Sequence, residues 1–231
     1  ATDQVLEIPH CQLSADSLRP AFNSLYADKS WADDHAGSGH CEIYARDGEV
    51  NIHWDQHYAQ GGFSQVNDEM NEVLRQKLLT YASKAPAQSL LDLFSGHGNL
   101  SDPLLEHSAI ERVMVDYTSN KQDRELAGYY NLDLFDPAAL ASLCRREASR
   151  SFDLMIVDPP RKGFAELAQW VQKFQPKQLI YVSCNAATLV RDIKTLQGKF
   201  TISDICLVDL FPSTYHFESM LRIEFSHHRK K

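Results

Sequence analysis

Two stretches of the sequence put reactive side chains next to residues that turn or stiffen the chain. The run YVSCN at 181–185 sets a thiol, Cys184, directly after an apolar segment. The run DLFPSTYHFESM at 209–220 sets His216 and Glu218 on either side of an aromatic residue. A thiol at a strand end is a candidate nucleophile, and a carboxylate near it is a candidate general base. Taken singly, each also has an ordinary explanation, since free cysteine is usually buried and inert and a turn glutamate is usually solvated. Cys144 and Cys206, in helical and apolar settings, take that ordinary explanation.

Two more stretches supply a place for a ligand. In LDLFSGHGN, residues 91–99, Gly96 and Gly98 let the backbone turn tightly after a strand. The pattern is neither the full GxGxxG fingerprint nor a GK[ST] phosphate loop. It suits an adenosyl ligand without phosphates, with Asp116 at the end of RVMVDY accepting from ribose hydroxyls. In VDPPRKG, residues 157–163, two prolines stiffen a loop that presents Asp158, and Arg161 and Lys162 add positive charge.

These groups match one reaction. Carbon 5 of uracil is too weak a nucleophile to take a methyl group directly. A thiolate that adds to C6 makes C5 enolate-like, and a base must afterwards remove the C5 proton so that the thiolate can leave. A group on the uracil edge that supports the enolate helps further.

The elements that must position these residues are legible as periodicity. Residues 1–62 contain a helix candidate (SLRPAFNSLY), a polar loop and two strand-like runs, HCEIYAR and VNIHW, joined by Asp-Gly at 47–48, a hairpin signal. From 63 to 231 a helix (NDEMNEVLRQKLLTYASK) is followed by the apolar runs SLLDLFSG, RVMVDY, DLMIVDPP, QLIYVSCN, ISDICLVDLF and FESMLRIEF. Continuous apolar runs alternating with helical segments indicate an α/β domain with a mostly parallel sheet. Ligands of such sheets bind at the carboxyl ends of the strands, where the four motifs fall.

Bulk properties narrow the class. The 231 residues suffice for one sizeable α/β domain and a small α+β appendage. No apolar run is long enough to span a membrane and the first residues do not read as a signal peptide. Five widely spaced cysteines without CxxC argue against a disulfide framework or a zinc site, so no metal and a reducing, cytoplasmic setting are expected. A net charge of −8 argues against gripping nucleic acid by bulk electrostatics. Arg145, Arg146 and Arg150 could form a local basic rim, though a solvated helix face is the plainer reading.

The blocks FSQVN, LDLFSGHGN, VDPPRKG, YVSCNAATLVRD and LFPSTYHFESM occur in the order and with the separations of the RNA uracil-5-methyltransferases, and the chain resembles that family, whose members act on 23S ribosomal RNA or on the transfer RNA T-loop. The resemblance spans essentially the whole chain and is strongest from Phe63 to Phe225. It implies a class I, Rossmann-like domain with a seven-stranded sheet and S-adenosylmethionine as methyl donor. Gln65, Phe94, Gly96, Asn99, Asp116, Asp133 and Asp158 would then line the donor site, Asp158 and Arg161 would meet the target base, and Cys184 and Glu218 would be nucleophile and base. The implied partner is RNA, ribosomal rather than transfer, with a monomer as the default.

The match has departures. FSG stands where FCG is common, and Tyr215 stands where the TGHxE pattern has glycine. The segment from Asp116 to Asp133 is shorter than expected, and the sequence starts without the TRAM-type domain of many members, as expected of either a truncated chain or a short form. Cys11 lies where iron–sulfur members supply one cluster ligand; the other three would lie upstream, so it reads as a structural cysteine or as the orphaned ligand of a truncated chain. Two other readings are a methyltransferase acting on cytosine or an amino group, and a non-catalytic relative that binds RNA through a degenerate donor site.

Overall fold

The computed structural model describes residues 11, 14–28, 41–46, 49–54, 67–117, 124–125, 127–148, 150–210, 214 and 216–226. Gln65, the Asp-Gly at 47–48, the QGG at 60–62, Tyr215 and the tail after 226 lie outside them. The chain divides into two compact units, Ala1–Phe63 and Ser64–Lys231.

In the first unit a 3₁₀ turn, Asp16–Leu18, leads into helix α1, Arg19–Ala27, with Pro20 in its first turn, where a missing N–H costs nothing. Strands β1, Cys41–Arg46, and β2, Glu49–Trp54, pair antiparallel from Cys41↔Trp54 to Arg46↔Glu49. The two runs therefore form the hairpin that the Asp-Gly signal anticipated.

The second unit is built on a seven-stranded sheet. Its strands are β3, Ser89–Leu93; β4, Glu111–Asp116; β5, Tyr129–Asn131; β6, Leu154–Val157; β7, Gln178–Ser183; β8, Phe200–Val208; and β9, Glu218–Phe225. The order is β5-β4-β3-β6-β7-β9-β8. The first five are parallel, and β9 enters antiparallel between β7 and β8. Every residue of β6 and β7 is buried, as expected for strands covered on both faces.

Helices α2, Asp68–Ala82; α3, Asp102–His107; α4, Ala139–Arg146; α5, Leu167–Phe174; and α6, Ala186–Lys194, accompany the sheet. The sheet's two faces feed separate cores. Leu91, Leu93, Met155, Val157, Leu179 and Tyr181 pack with Leu167, Trp170 and Phe174 of α5 and Leu189 and Ile193 of α6. Leu90, Leu154, Ile156, Ile180 and Val182 pack with Leu74, Leu78 and Tyr81 of α2. The alternation along each strand is the period-two pattern of side chains on a pleated chain. Trp170, Val171 and Phe174 follow Leu167 at helical spacing and bury one face of α5.

Six strands of the sheet coincide with apolar runs in the sequence. The seventh, β5, is three residues long and only half-buried, so no such run announced it. It is placed by tertiary pairing: Met114 N donates to Gly128 O at 2.8 Å just before it. Gly128 has φ +74°, and a Cβ there would stand 2.4 Å from the Arg112 carbonyl oxygen. Gly128→Ala is therefore expected to lower stability by about 2 kcal/mol or more, read as a thermal midpoint lower by roughly 5 °C. An unchanged midpoint would contradict the close approach of the two backbones.

Candidate active site

The strand order reverses between β3 and β6, with β4 on one side of β3 and β7 beyond β6. The crevice at the carboxyl ends of β3 and β6 is the expected ligand position in such a sheet. Phe94 follows β3 with φ 60°, and Gly96 and Gly98 also have positive φ. Asp116 closes β4 and holds this turn: Oδ2 accepts from Gly96 N at 2.6 Å and Oδ1 from Tyr117 N at 2.6 Å. A Cβ on Gly96 would meet nothing within 4 Å, so the turn faces open space. Asp158 follows β6, with its N–H on the Leu93 carbonyl at 3.3 Å.

Asn99 is engaged by a residue that sequence reasoning missed. Its amide exchanges two hydrogen bonds with Asn71 of α2, at 3.0 and 2.9 Å, which ties the glycine turn to that helix. Asp92 was missed as well. It is 2 % exposed within β3, and Oδ2 has no hydrogen-bond partner, nor has the buried Ser95 Oγ. Burial above all, with Asp158 and Asp116 adding to it against Ser101 and Arg112, pushes its carboxyl up to about 7. The signal was present in the sequence as an acid inside an apolar strand, LLDLF.

Asp133 stands apart from these carboxylates in its bonding. It is exposed, and Oδ1 accepts from Phe135 N at 2.9 Å, capping the turn after β5. Phe135 in turn packs with Phe94 (centroids 5.4 Å apart) and Phe164, and the Lys162 ammonium lies 3.2 Å from its ring centroid.

Cys184 and Glu218 are brought together by strand pairing. The β7–β9 register ends at Ser183↔Ser219, so the next residue outward on each strand is Cys184 on one side and Glu218 on the other. Because β9 runs antiparallel, its first residue lies at the carboxyl ends of the parallel strands. Asn185 caps α6 through Ala187 N and Thr188 N, which fixes the chain just after the thiol. Glu218 is 6 % exposed and its Oε2 has no hydrogen-bond partner. Burial first, then the charge of Asp158, pushes its carboxyl up to about 8, against the pull of Arg161. Burial also raises the Cys184 thiol, with Glu218 and Asp158 adding to it and Arg161 opposing. Burial and Asp116 push Asp158 up to about 7.

Arg161 acts electrostatically on both reactive groups. Its guanidinium meets the His216 ring at 3.3 Å, and its carbonyl accepts from Asn185 Nδ2 at 3.1 Å. Two members of the other arginine cluster have local partners: Arg150 pairs with Glu111 and Glu147, and Arg146 lies over the Tyr130 ring. Among the described residues no group of three or more His, Cys, Asp or Glu could hold a metal ion. No helix there is long and apolar enough to cross a membrane.

The chain is similar to several known proteins. A family model described as tRNA (Uracil-5-)-methyltransferase matches residues 146–225, which include Asp158, Arg161, Cys184 and Glu218. The 23S rRNA (uracil(1939)-C(5))-methyltransferase RlmD of Shewanella sp. strain ANA-3 is 32 % identical over 174 residues, covering 73 % of this chain and 39 % of the relative. RlmD of Shewanella sediminis is 35 % identical over 173 residues, 72 % of this chain and 39 % of the relative. The chain thus spans about two fifths of the length of these relatives. Among solved structures, a Pyrococcus abyssi tRNA (uracil-54, C5)-methyltransferase in complex with S-adenosyl-L-homocysteine superposes with a TM-score of 0.56 at 24 % identity, over 79 % of this chain and 44 % of that one. The N-methyltransferase NodS of Bradyrhizobium japonicum superposes with a TM-score of 0.52 at 13 % identity, over 69 % of this chain and 98 % of that one. With the sheet order described above, these likenesses give the fold of the S-adenosylmethionine-dependent methyltransferases, and the sequence matches go further, to a likeness with the RNA uracil-5-methyltransferases over almost three quarters of the chain.

Proposed function

We propose that this chain catalyses S-adenosylmethionine-dependent methylation of uridine C5 in RNA, with 23S ribosomal RNA as substrate. The observation that carries the reading is the adjacency of Cys184 and Glu218 across the β7–β9 pair, beside Asp158 and Arg161. The relatives named for a 23S rRNA uridine support the choice of RNA. A transfer RNA substrate is the second reading, favoured by the name of the matching family model.

The residues present fit the donor. The open side of Gly96 leaves room at the turn, and the unpartnered Asp92 Oδ2 and Ser95 Oγ offer acceptors. The acid-rich wall of Asp92, Asp116 and Asp158 favours a cationic ligand. Phe94, Gly96, Asn99, Asp116, Asp158 and, on the Phe135 side, Asp133 would hold it, with Gln65 assigned from the FSQVN block. When bound, the donor supplies an electrophilic methyl group on a sulfonium.

The protein's own part is to activate and release the base. The Cys184 thiolate forms a bond to uracil C6, and the electron pair of the C5–C6 double bond shifts toward O4, leaving C5 nucleophilic. Arg161, beside the same site, would stabilise that developing negative charge. Once C5 carries the methyl group, Glu218 takes the C5 proton. The electron pair then restores the C5–C6 bond, and the C6–S bond breaks to return the thiolate. The target uridine must leave the RNA stack to reach a nucleophile at the strand ends.

Methyl transfer from labelled S-adenosylmethionine to unmodified total RNA, with nucleoside analysis, tests this reading. Label in 5-methyluridine of the ribosomal fraction supports it, label in transfer RNA moves the substrate, and donor binding without label in 5-methyluridine refutes the reaction. Cys184→Ala is expected to abolish transfer while donor binding persists, and full activity in that variant would overturn the mechanism. Glu218→Gln is expected to accumulate a covalent RNA–protein adduct, detectable as a denaturation-resistant band.

The carboxyl of Glu218 also predicts a pH dependence of stability. Its folded-state value, about 8, lies above the ordinary range, so the unfolded chain loses this proton first as pH rises. Stability attributable to the retained proton is present at low pH and is lost as pH rises toward 8. Glu218→Gln should therefore melt above the wild type at pH 8.5, with the gap closing by pH 5. A gap that widens toward pH 5 would mean the carboxylate is stabilised by its surroundings.

A further inference from the structure

The mechanism leaves one fully buried charged group unused. Asp192 lies on α6 with its side chain wholly enclosed. Burying a carboxylate is costly unless donors surround it. Here three segments supply them. Oδ2 accepts from the backbone N–H of Phe164 at 2.6 Å and from the Tyr181 hydroxyl of β7 at 2.7 Å. Oδ1 accepts from Arg191 Nε at 2.8 Å.

The loop so held is the one that carries Arg161. Gly163 N donates to Pro160 O at 2.8 Å, closing a turn, and Gly163 has φ +73°. A Cβ there would lie 2.5 Å from Asp192 Oδ2, so the loop rests directly on the carboxylate. Arg191 Nη2 reaches past Asp192 to the Lys162 carbonyl at 2.9 Å. Asn185 Nδ2 and Thr188 Oγ1 reach the Arg161 carbonyl at 3.1 and 3.4 Å. The Arg161 and Lys162 carbonyls and the Phe164 N–H are thus all bonded to α6 or its cap residue Asn185, and that helix starts two residues after Cys184.

We propose that Asp192 is a positioning residue: it clamps the 160–164 loop onto α6 so that the Arg161 guanidinium keeps a fixed place beside Cys184 and Glu218. The proposal rests on the reading of Cys184 as nucleophile and Glu218 as base. Its physical content is that Arg161 opposes three influences on the thiol, namely burial, Glu218 and Asp158. A guanidinium on a loosened loop is screened by solvent and opposes them less. The clamp therefore governs how readily Cys184 becomes a thiolate without touching substrate.

The test is the pH profile of Cys184 alkylation by iodoacetamide on the folded protein without RNA, read at that residue by peptide mass spectrometry, since the thiolate is the reacting species. In Asp192→Asn the profile should move to higher pH, with the rate at pH 7.5 down on the order of threefold. The kcat for methyl transfer should fall by roughly tenfold to a hundredfold while the KM for the donor stays put. Arg161→Gln should move the profile the same way, and adding Asp192→Asn to it should move it no further, because both changes act through one charge. An unmoved profile in folded Asp192→Asn, or a full additional shift in the Arg161→Gln background, would overturn the proposal. Should Asp192→Asn fail to fold, Arg191→Gln removes a half-exposed limb of the same clamp; a smaller shift in the same direction supports the proposal, and none defeats it. Failure of the nucleophile reading would show separately, as full methyl transfer by Cys184→Ala.

Discussion

The antiparallel pairing of β7 with β9 is the constraint on which the site depends. Five strands run parallel, and their carboxyl ends alone could offer Phe94, Asp116, Asp158 and Cys184. What they could not offer is the first residue of a strand, because a parallel neighbour reaches this end of the sheet only with its last residue and the loop to its helix. A strand entering from the opposite direction brings its first residue instead. The register Ser183↔Ser219 makes that residue Glu218. A slip of one residue would turn the side chain to the other face of the sheet. The buried neighbours Met220, Leu221 and Ile223 hold the register, since each must remain in its own core.

That arrangement concentrates acids. Asp92, Asp116, Asp158 and Glu218 act on one another in a series across the sheet, Asp158 and Glu218 also act on the Cys184 thiol, and each of the three with a raised value is raised first by burial. Like charges this close cannot all ionise cheaply. The result is a site that retains protons near neutral pH and in which Arg161 is the cation acting on both Cys184 and Glu218. Such a site is poised for a cationic partner and for proton movement, and a single arginine has large leverage there.

The sequence was most informative where burial is symmetrical. Central parallel strands must be apolar throughout, so LMIV and QLIYVS stand out as runs. Glycine and proline at strand ends exposed the turn at 94–99 and the loop at 158–163 for the same reason, because only special backbone conformations need them. Cys184 and Glu218 were legible as types in their motifs, but their adjacency follows from a register that no local pattern encodes. The short strand β5, the Asn71–Asn99 exchange and the donors around Asp192 were illegible for a related reason. Each is a contact between residues far apart in sequence, made by side chains or backbone groups whose types are common. Asp92 lay between: an acid within an apolar strand marks an anomaly, though not the neighbours that raise its proton affinity.

The place of β9 in the sheet also bears on how the domain comes into being. It follows every other strand of the sheet in chain order, yet it occupies an interior position between β7 and β8. Until it inserts, β7 presents an open edge of unpaired amides and carbonyls, and β8 has no neighbour to anchor it. During synthesis the turn at 94–99 and the Cys184 thiol can therefore be assembled while Glu218 is still absent. On the proposed reading, chemistry at the uridine is thereby coupled to completion of the sheet: a nascent chain would hold Cys184 before Glu218 joined it, and only the last strand of the sheet to arrive would make turnover possible.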